Sequence, residues 1–217
     1  MSQRVHRGFT LLEIMIVLAI IAVGVALAAP NVLRWSDAER VKSAARSVSD
    51  AMLLARSEAI RTGNNHLVVI AGALGAAAPV VVVNDGPQAT ANCTIDANEI
   101  VHSVPAVDGV VWGTLPTGAN GALAPDDAGG AAGNAAVGWT LTNADGATPA
   151  SVVLFQSDGL PRTFTSGGGN CTAIGNAGAG GGGVYLNNGD REYAIVLRPL
   201  GTARVHRWNP DAGAWSG

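Results

Sequence analysis

Glu13 is the single carboxylate in an apolar run that reads GFTLLEIMIVLAIIAVGVALAAP from Gly8 to Pro30, and the chemistry it offers is ion pairing. An ionisable side chain inside a membrane-length helix costs roughly 2.5–3.5 kcal/mol near the bilayer centre and less toward an end, so such a group marks a functional site and needs a partner. Little else in the chain could turn over a substrate. The glycine tract from Gly167 to Gly183 shares the composition of a phosphate loop but lacks the lysine before Ser or Thr that such a loop requires; the sole lysine is Lys42. A mobile hairpin loop is the expectation for it. His66, His102 and His206 stand singly in strand-like segments, without acidic or cysteine neighbours at ligand spacing. Asp126-Asp127 lies in a Gly/Pro/Ala loop without the alternating oxygen ligands of an EF-hand, which leaves a single calcium as the sharper alternative to a solvated loop. No Ser/His/Asp order has motif support, so the expectation is a protein that is not an enzyme, with no cofactor and no metal site.

The elements around these groups are plain. Phe9 to Ala29 is 21 residues with only Thr10 and Glu13 polar, and about 20 apolar residues suffice for a helix to cross a bilayer. Arg4 and Arg7 precede the span, so its N-terminus is expected in the cytoplasm and the bulk of the chain outside. Pro30 should kink or break the helix. Beyond it Val41, Ala45, Val48, Met52, Ala55 and Ala59 fall at alternating four- and three-residue steps, one apolar stripe of a helix that faces a core; Thr62-Gly63-Asn64 ends it. If nearly continuous from Phe9 to Thr62, the helix would be about 80 Å long. After Gly63 the pattern changes to short β-rich runs between Gly, Pro, Asn and Asp. Strands are expected at 67–70, 80–83, 99–104, 110–112, 137–141, 151–155, 184–186, 193–198 and 203–208, the last two forming a C-terminal hairpin turned at Pro199-Leu200-Gly201-Thr202. The fold class is therefore α+β: a long N-terminal helix, half transmembrane and half amphipathic, packed on an antiparallel β head.

Gly8, Phe9, Thr10, Leu11, Leu12 and Glu13, followed by the long apolar run, resemble the type IV prepilin signature shared by pilins and type II secretion pseudopilins. That resemblance implies a prepilin peptidase that cuts between Gly8 and Phe9 and methylates the new amine of Phe9. It also implies that Glu13 meets the N-terminal amine of a neighbouring subunit as helices pack into a filament. Phe155-Gln156-Ser157-Asp158-Gly159, Tyr193 to Leu197 and Gly201-Thr202-Ala203-Arg204-Val205 look like the C-terminal half of the GspH/FimT family of minor pseudopilins and minor pilins. Gly201 and Arg204 match that family's Gly-Arg-x-Arg ending, while its first arginine is replaced. The implied organisation is a leader (1–8), a transmembrane helix with the methylation motif (9–30), an amphipathic helix (31–63) and a periplasmic head (64–217). The implied partners are prepilin peptidase, other pseudopilins or pilins, and the bacterial inner membrane. Residues 71–150 carry little that aligns. Two other readings of the N-terminus remain: a secretory signal peptide cut after Ala28, which would release a soluble β-rich binding domain, and a plain membrane anchor. The usual signal-peptide apolar core of 7–15 residues is shorter than this run.

Cys93 and Cys171 match no metal motif. In an oxidising compartment a disulfide between them is expected; two unpaired buried thiols are the alternative. From Thr62 to Asp190 the only basic residue is Arg162, against nine acidic ones, whereas Arg191, Arg198, Arg204 and Arg207 gather near the end beside Tyr193 and Trp208. Arginines among aromatics can hold a nucleic-acid backbone and stack on bases, and some of the FimT-like minor pilins that the chain resembles bind DNA through this hairpin, which makes DNA an alternative partner. Arg198, Arg204 and Arg207 are the candidate contacts. A solvated hairpin with structural ion pairs is the competing reading, favoured by the net charge of −3.

Overall fold

The computed structural model describes residues 9–71, 74, 76, 78–96, 98–127, 135–143, 150–167, 170–172 and 174–217. They fall into two units, one ending at Glu39 and the other spanning Arg40–Gly217. The leader, Gly8 included, lies outside the described residues.

The helix α1 (Leu11–Thr62) is assigned without interruption through Pro30. The break allowed for there does not occur, because a proline removes one i→i−4 hydrogen bond and the bonds on either side carry the helix on. The helix ends where the sequence places its stop. Gly63 takes a left-handed φ of 73° and donates its N–H to the Ala59 carbonyl at 3.0 Å, while the Thr62 hydroxyl donates to the Glu58 carbonyl at 2.7 Å. A glycine is favoured here because the conformation penalises a Cβ.

Twelve strands follow among the described residues. They are β1 (His66–Ile70), β2 (Val80–Asn84), β3 (Ile100–Val104), β4 (Val111–Trp112), β5 (Val152–Phe155), β6 (Pro161–Arg162), β7 (Thr165–Gly167), β8 (Asn170–Thr172), β9 (Gly182–Asn187), β10 (Glu192–Leu197), β11 (Ala203–Asn209) and β12 (Ala214–Ser216). One antiparallel sheet has the order β3-β2-β1-β5-β6, a second the order β12-β11-β10-β9-β4, and β7 pairs with β8. An apolar helix, an amphipathic helical segment and antiparallel sheets, in that order along the chain, make the α+β, pilin-like architecture that the sequence leads one to expect.

The stripe on α1 organises the Arg40–Gly217 unit. Val41, Ala45, Val48, Met52, Ala55 and Ala59 are all buried, and they share one core with Val68, Ile70, Val82 and Phe155 of the first sheet and with Val184, Leu186, Ile195 and Leu197 of the second. Alanines at three of the six stripe positions let the sheet residues come close to the helix axis. The opposite faces are covered too: Leu67, Val69, Val81, Val83 and Leu154 pack with Phe164, and Tyr185, Ala194 and Val196 pack with Ala124 and Trp215. Burial on both faces explains why β1 and β2 read as continuous valine-rich runs instead of alternating ones.

Two expectations need correction. The strand expected over 137–141 is a 3-10 turn, Ala135–Val137, followed by an isolated bridge from Trp139 to Val184. Gly138, at a φ of 120° against Trp112 Cβ, interrupts the extended run. The glycine tract is also not simply a mobile loop: it contributes to the β7–β8 hairpin, and its last two residues, Gly182 and Gly183, are buried in β9. β6, β7, β8 and β12 have two or three residues each, too few to show a period in sequence.

Met52 has no exposed surface whereas its neighbour Leu53 is 41% exposed. Met52→Ala should therefore lower unfolding free energy by about 2–4 kcal/mol through lost burial and an incompletely filled cavity. Leu53→Ala should cost about 0.5 kcal/mol, both read by urea titration of the full chain in detergent.

Candidate functional site

The N-terminal candidates sit on the first turn of α1. Thr10 is the residue before the helix: its carbonyl accepts the Ile14 N–H at 3.3 Å and its hydroxyl accepts the Glu13 N–H at 3.2 Å. Glu13 is thus the third helical residue after a threonine cap, the spacing of a capping box. A carboxylate there also faces the positive end of the helix dipole, so the residue supports the helix start whatever else it does. Its surroundings are apolar and open: Phe9 is 80% exposed, and Leu12, Met15 and Ile16 are exposed with it. Leu11–Ala28 is long and apolar enough to cross a membrane, and none of it is buried by the protein. Among the described residues no cation pairs with Glu13.

The C-terminal arginines do not form one surface. Arg198 is ion-paired with Asp126. Arg204 and Arg207 are three residues apart on β11, whose pairing with β10 runs in register from Tyr193↔Arg207 to Leu197↔Ala203, so their side chains leave opposite faces of the sheet. Arg191 lies 3.4 Å from Asp190. The basic edge seen in the sequence is dispersed by the strand period and by an acidic partner 72 residues earlier in the chain.

Asp126 and Asp127, the calcium alternative, are engaged by the head itself. Asp127 accepts the Thr140 hydroxyl at 2.7 and 2.8 Å from its two oxygens and the Tyr185 hydroxyl as well. Tyr185 Oη accepts the Ala124 N–H at 3.0 Å, and the Thr140 hydroxyl accepts the Gly183 N–H at 2.7 Å. A Cβ on Gly183 would stand 2.6 Å from Asp127 Oδ2 and 2.7 Å from Tyr185 Cε2, which is why that strand position is glycine. Burial and the adjacent carboxylate push the Tyr185 hydroxyl well above its ordinary range. The network ties the 122–127 loop over the outer face of the second sheet, with Trp215 Nε1 donating to the Ala122 carbonyl at 3.0 Å. Sequence reading missed this network because its members are separated by up to 93 residues.

Phe155–Gly159 and Gly201, which carry the C-terminal resemblance, meet at α1. Arg56 Nε donates to the Gly159 carbonyl at 3.1 Å, and a Cβ on Gly201, at a φ of 77°, would lie 2.6 Å from that same carbonyl oxygen. Asp158 accepts both terminal nitrogens of Arg162, at 2.8 and 2.6 Å, and the guanidinium holds its carboxyl down to about 2. These residues close two turns against the helix.

The histidines are scattered on β1, β3 and β11. His66 and His206 are buried, with both nitrogens of His206 and Nε2 of His66 lacking a hydrogen-bond partner among the described residues; His102 is exposed. Among the described residues no group of three or more His, Cys, Asp or Glu side chains could hold a metal ion.

Residues 3–29 match the family model of the prokaryotic N-terminal methylation motif. That motif indicates a type IV pilin-like protein or pseudopilin, and it implies processing by a prepilin peptidase and assembly with other pilin-like subunits. No curated protein and no solved structure matches the chain.

Burial lowers the proton affinity of both His66 and His206. The unfolded chain binds those protons more readily, so stability rises with pH in this region and is lost as pH falls below about 6.5. Thermal unfolding between pH 8 and 5.5 should show this slope, and His66→Gln combined with His206→Gln should flatten it.

Proposed function

We propose that this protein is a minor pseudopilin resembling the H component of type II secretion. In this reading prepilin peptidase cuts it between Gly8 and Phe9 in the bacterial inner membrane and methylates Phe9. The leader side is cytoplasmic, the head is periplasmic, and the subunit joins a short pseudopilus through its apolar helix. Its role is structural. The observation that carries the reading is the methylation motif over residues 3–29, placed on a helix whose Leu11–Ala28 segment is long and apolar enough to cross a membrane. Glu13, open on that segment, is the contact for the methylated ammonium of a neighbouring subunit. Convergence of the Phe155–Gly159 and Gly201 turns on Arg56 supports the GspH/FimT subtype, since the residues that resemble the family serve one structural purpose.

A minor pilin of the FimT kind is the second reading, favoured by Gly201 and Arg204. Within it, the opposite facing of Arg204 and Arg207 and the engagement of Arg198 by Asp126 speak for protein contacts over DNA. Deleting the gene should impair secretion of folded periplasmic proteins under the pseudopilin reading and pilus-dependent motility or DNA uptake under the second.

Glu13→Ala should leave membrane insertion intact and reduce in-cell crosslinking to neighbouring pilin-like subunits at least about tenfold, the order expected for a lost hydrogen bond to a charged group. Normal crosslinking would remove Glu13 from assembly.

The head is also proposed to be stapled by a disulfide between Cys93 and Cys171. Support comes from Cys93 being disulfide-bonded in a sequence with one other cysteine. Reduction should lower head stability by about 4 kcal/mol in the chain-entropy model, measured by unfolding with and without dithiothreitol; an unchanged midpoint would argue that the bond does not form in the mature protein.

A further inference from the structure

Among the described residues the two large sheets have four edges, and one of them differs from the rest. β6 and β4 offer two residues each and β12 three, and β6 includes Pro161. β3 offers five, Ile100 to Val104, with neither a charge nor a proline. Ile100 is 48% and Val101 43% exposed. Folded proteins normally shorten, charge or cover such an edge, because its free N–H and C=O groups template another strand. A register shift opposite Val82 and Val83 bends its start, and the run from His102 to Val104 stays regular.

The surroundings of this edge are polarised. At its C-terminal end opens an apolar cavity of about 70 Å³ bounded by Ala44, Val104, Val107, Val110, Trp112 and Leu186. At its N-terminal end stand two carboxylates, Asp96 and Glu99; Glu99 Oε2 accepts the Asp96 N–H at 3.2 Å, and Asp96 Oδ2 accepts an amide hydrogen of Asn92 at 3.1 Å. No lysine or arginine occurs between Arg61 and Arg162 in the sequence, and no ion pair reaches either carboxylate among the described residues. Every strand pairing in this sheet is antiparallel.

We propose that the free edge of β3 is a docking site for an extended segment of another protein, added as an antiparallel strand with an apolar anchor at its N-terminal end and basic residues at its C-terminal end. Antiparallel addition sets the anchor beside Val104, at the mouth of the cavity, and carries the basic residues past Glu99 and Asp96. Main-chain hydrogen bonds along His102–Val104 supply affinity, while the cavity and the carboxylates supply direction and selectivity. The site does not depend on the filament reading of the N-terminus.

The test uses the full chain in detergent micelles and a fluorescein-labelled synthetic peptide. The peptide alternates valine and threonine, with leucine near its N-terminus and two lysines at its C-terminus; a peptide of reversed sequence controls for partition into micelles. Anisotropy should report saturable binding of the first peptide and at least about tenfold weaker binding of the second. Val101→Lys and, independently, Ile100→Lys should each weaken binding about tenfold by charging the edge, with unchanged circular dichroism and melting temperature as the folding control. Glu99→Lys should abolish the preference for the lysine-tailed peptide. Equal binding of the two peptides, no binding at millimolar peptide, or indifference to both lysine variants would overturn the proposal. Self-association that Val101→Lys disperses would also overturn it, by giving the edge to a second copy of this chain.

Discussion

One helix in this protein has to satisfy two environments. Through Leu11–Ala28 it presents apolar side chains on every side with no protein against them, a surface that water disfavours at about 25 cal/mol per Å². From Val41 onward it is amphipathic, and its stripe of small and branched residues is fully enclosed by two sheets. The first half requires lipid or other helices; the second supplies the floor on which the head is built. The β head follows from the second half, since each large sheet places alternate residues of its central strands on that stripe and must then cover its other face with loops.

That covering explains several features that would otherwise look like functional sites. The aspartate pair at 126–127 gathers Thr140, Tyr185 and Arg198 and straps a loop over the second sheet. Arg56 reaches from the helix to the Gly159 carbonyl beside Gly201, so the two turns most characteristic of the sequence are held where chain segments cross. The carboxylates and hydroxyls in these places are hydrogen-bonded, as burial demands, while Arg198 Nε is buried without a partner among the described residues; what the groups accomplish is closure of the head.

Much of this was legible in the sequence, for identifiable reasons. The stripe from Val41 to Ala59 is a strict helical period over five turns, and every residue in it is buried. The β10–β11 hairpin was readable from its apolar runs and turn residues. It pairs in register from Tyr193↔Arg207 to Leu197↔Ala203, and Arg198 N–H donates to the Thr202 carbonyl at 2.9 Å across the turn. Long-range polar partners were not legible: neither Asp126–Arg198 nor Asp127–Tyr185 has a local signature. Clustering of the C-terminal arginines along the sequence does not show their facing, because the two-residue period of a strand sends Arg204 and Arg207 to opposite faces. Gly182 and Gly183 misled for a related reason, since composition cannot separate a glycine needed for chain flexibility from one needed because no Cβ fits.

In the proposed processing the apolar helix is retained after removal of a short leader, with Phe9 as the new N-terminus and Glu13 on the mature chain. Intact mass spectrometry of the protein extracted from its native membrane tests this most directly. Prepilin processing should give a chain that begins at Phe9 and carries one N-methyl group. A chain beginning at Ala29, which would have lost Glu13 with the entire helix, or one still beginning at Met1, would contradict it.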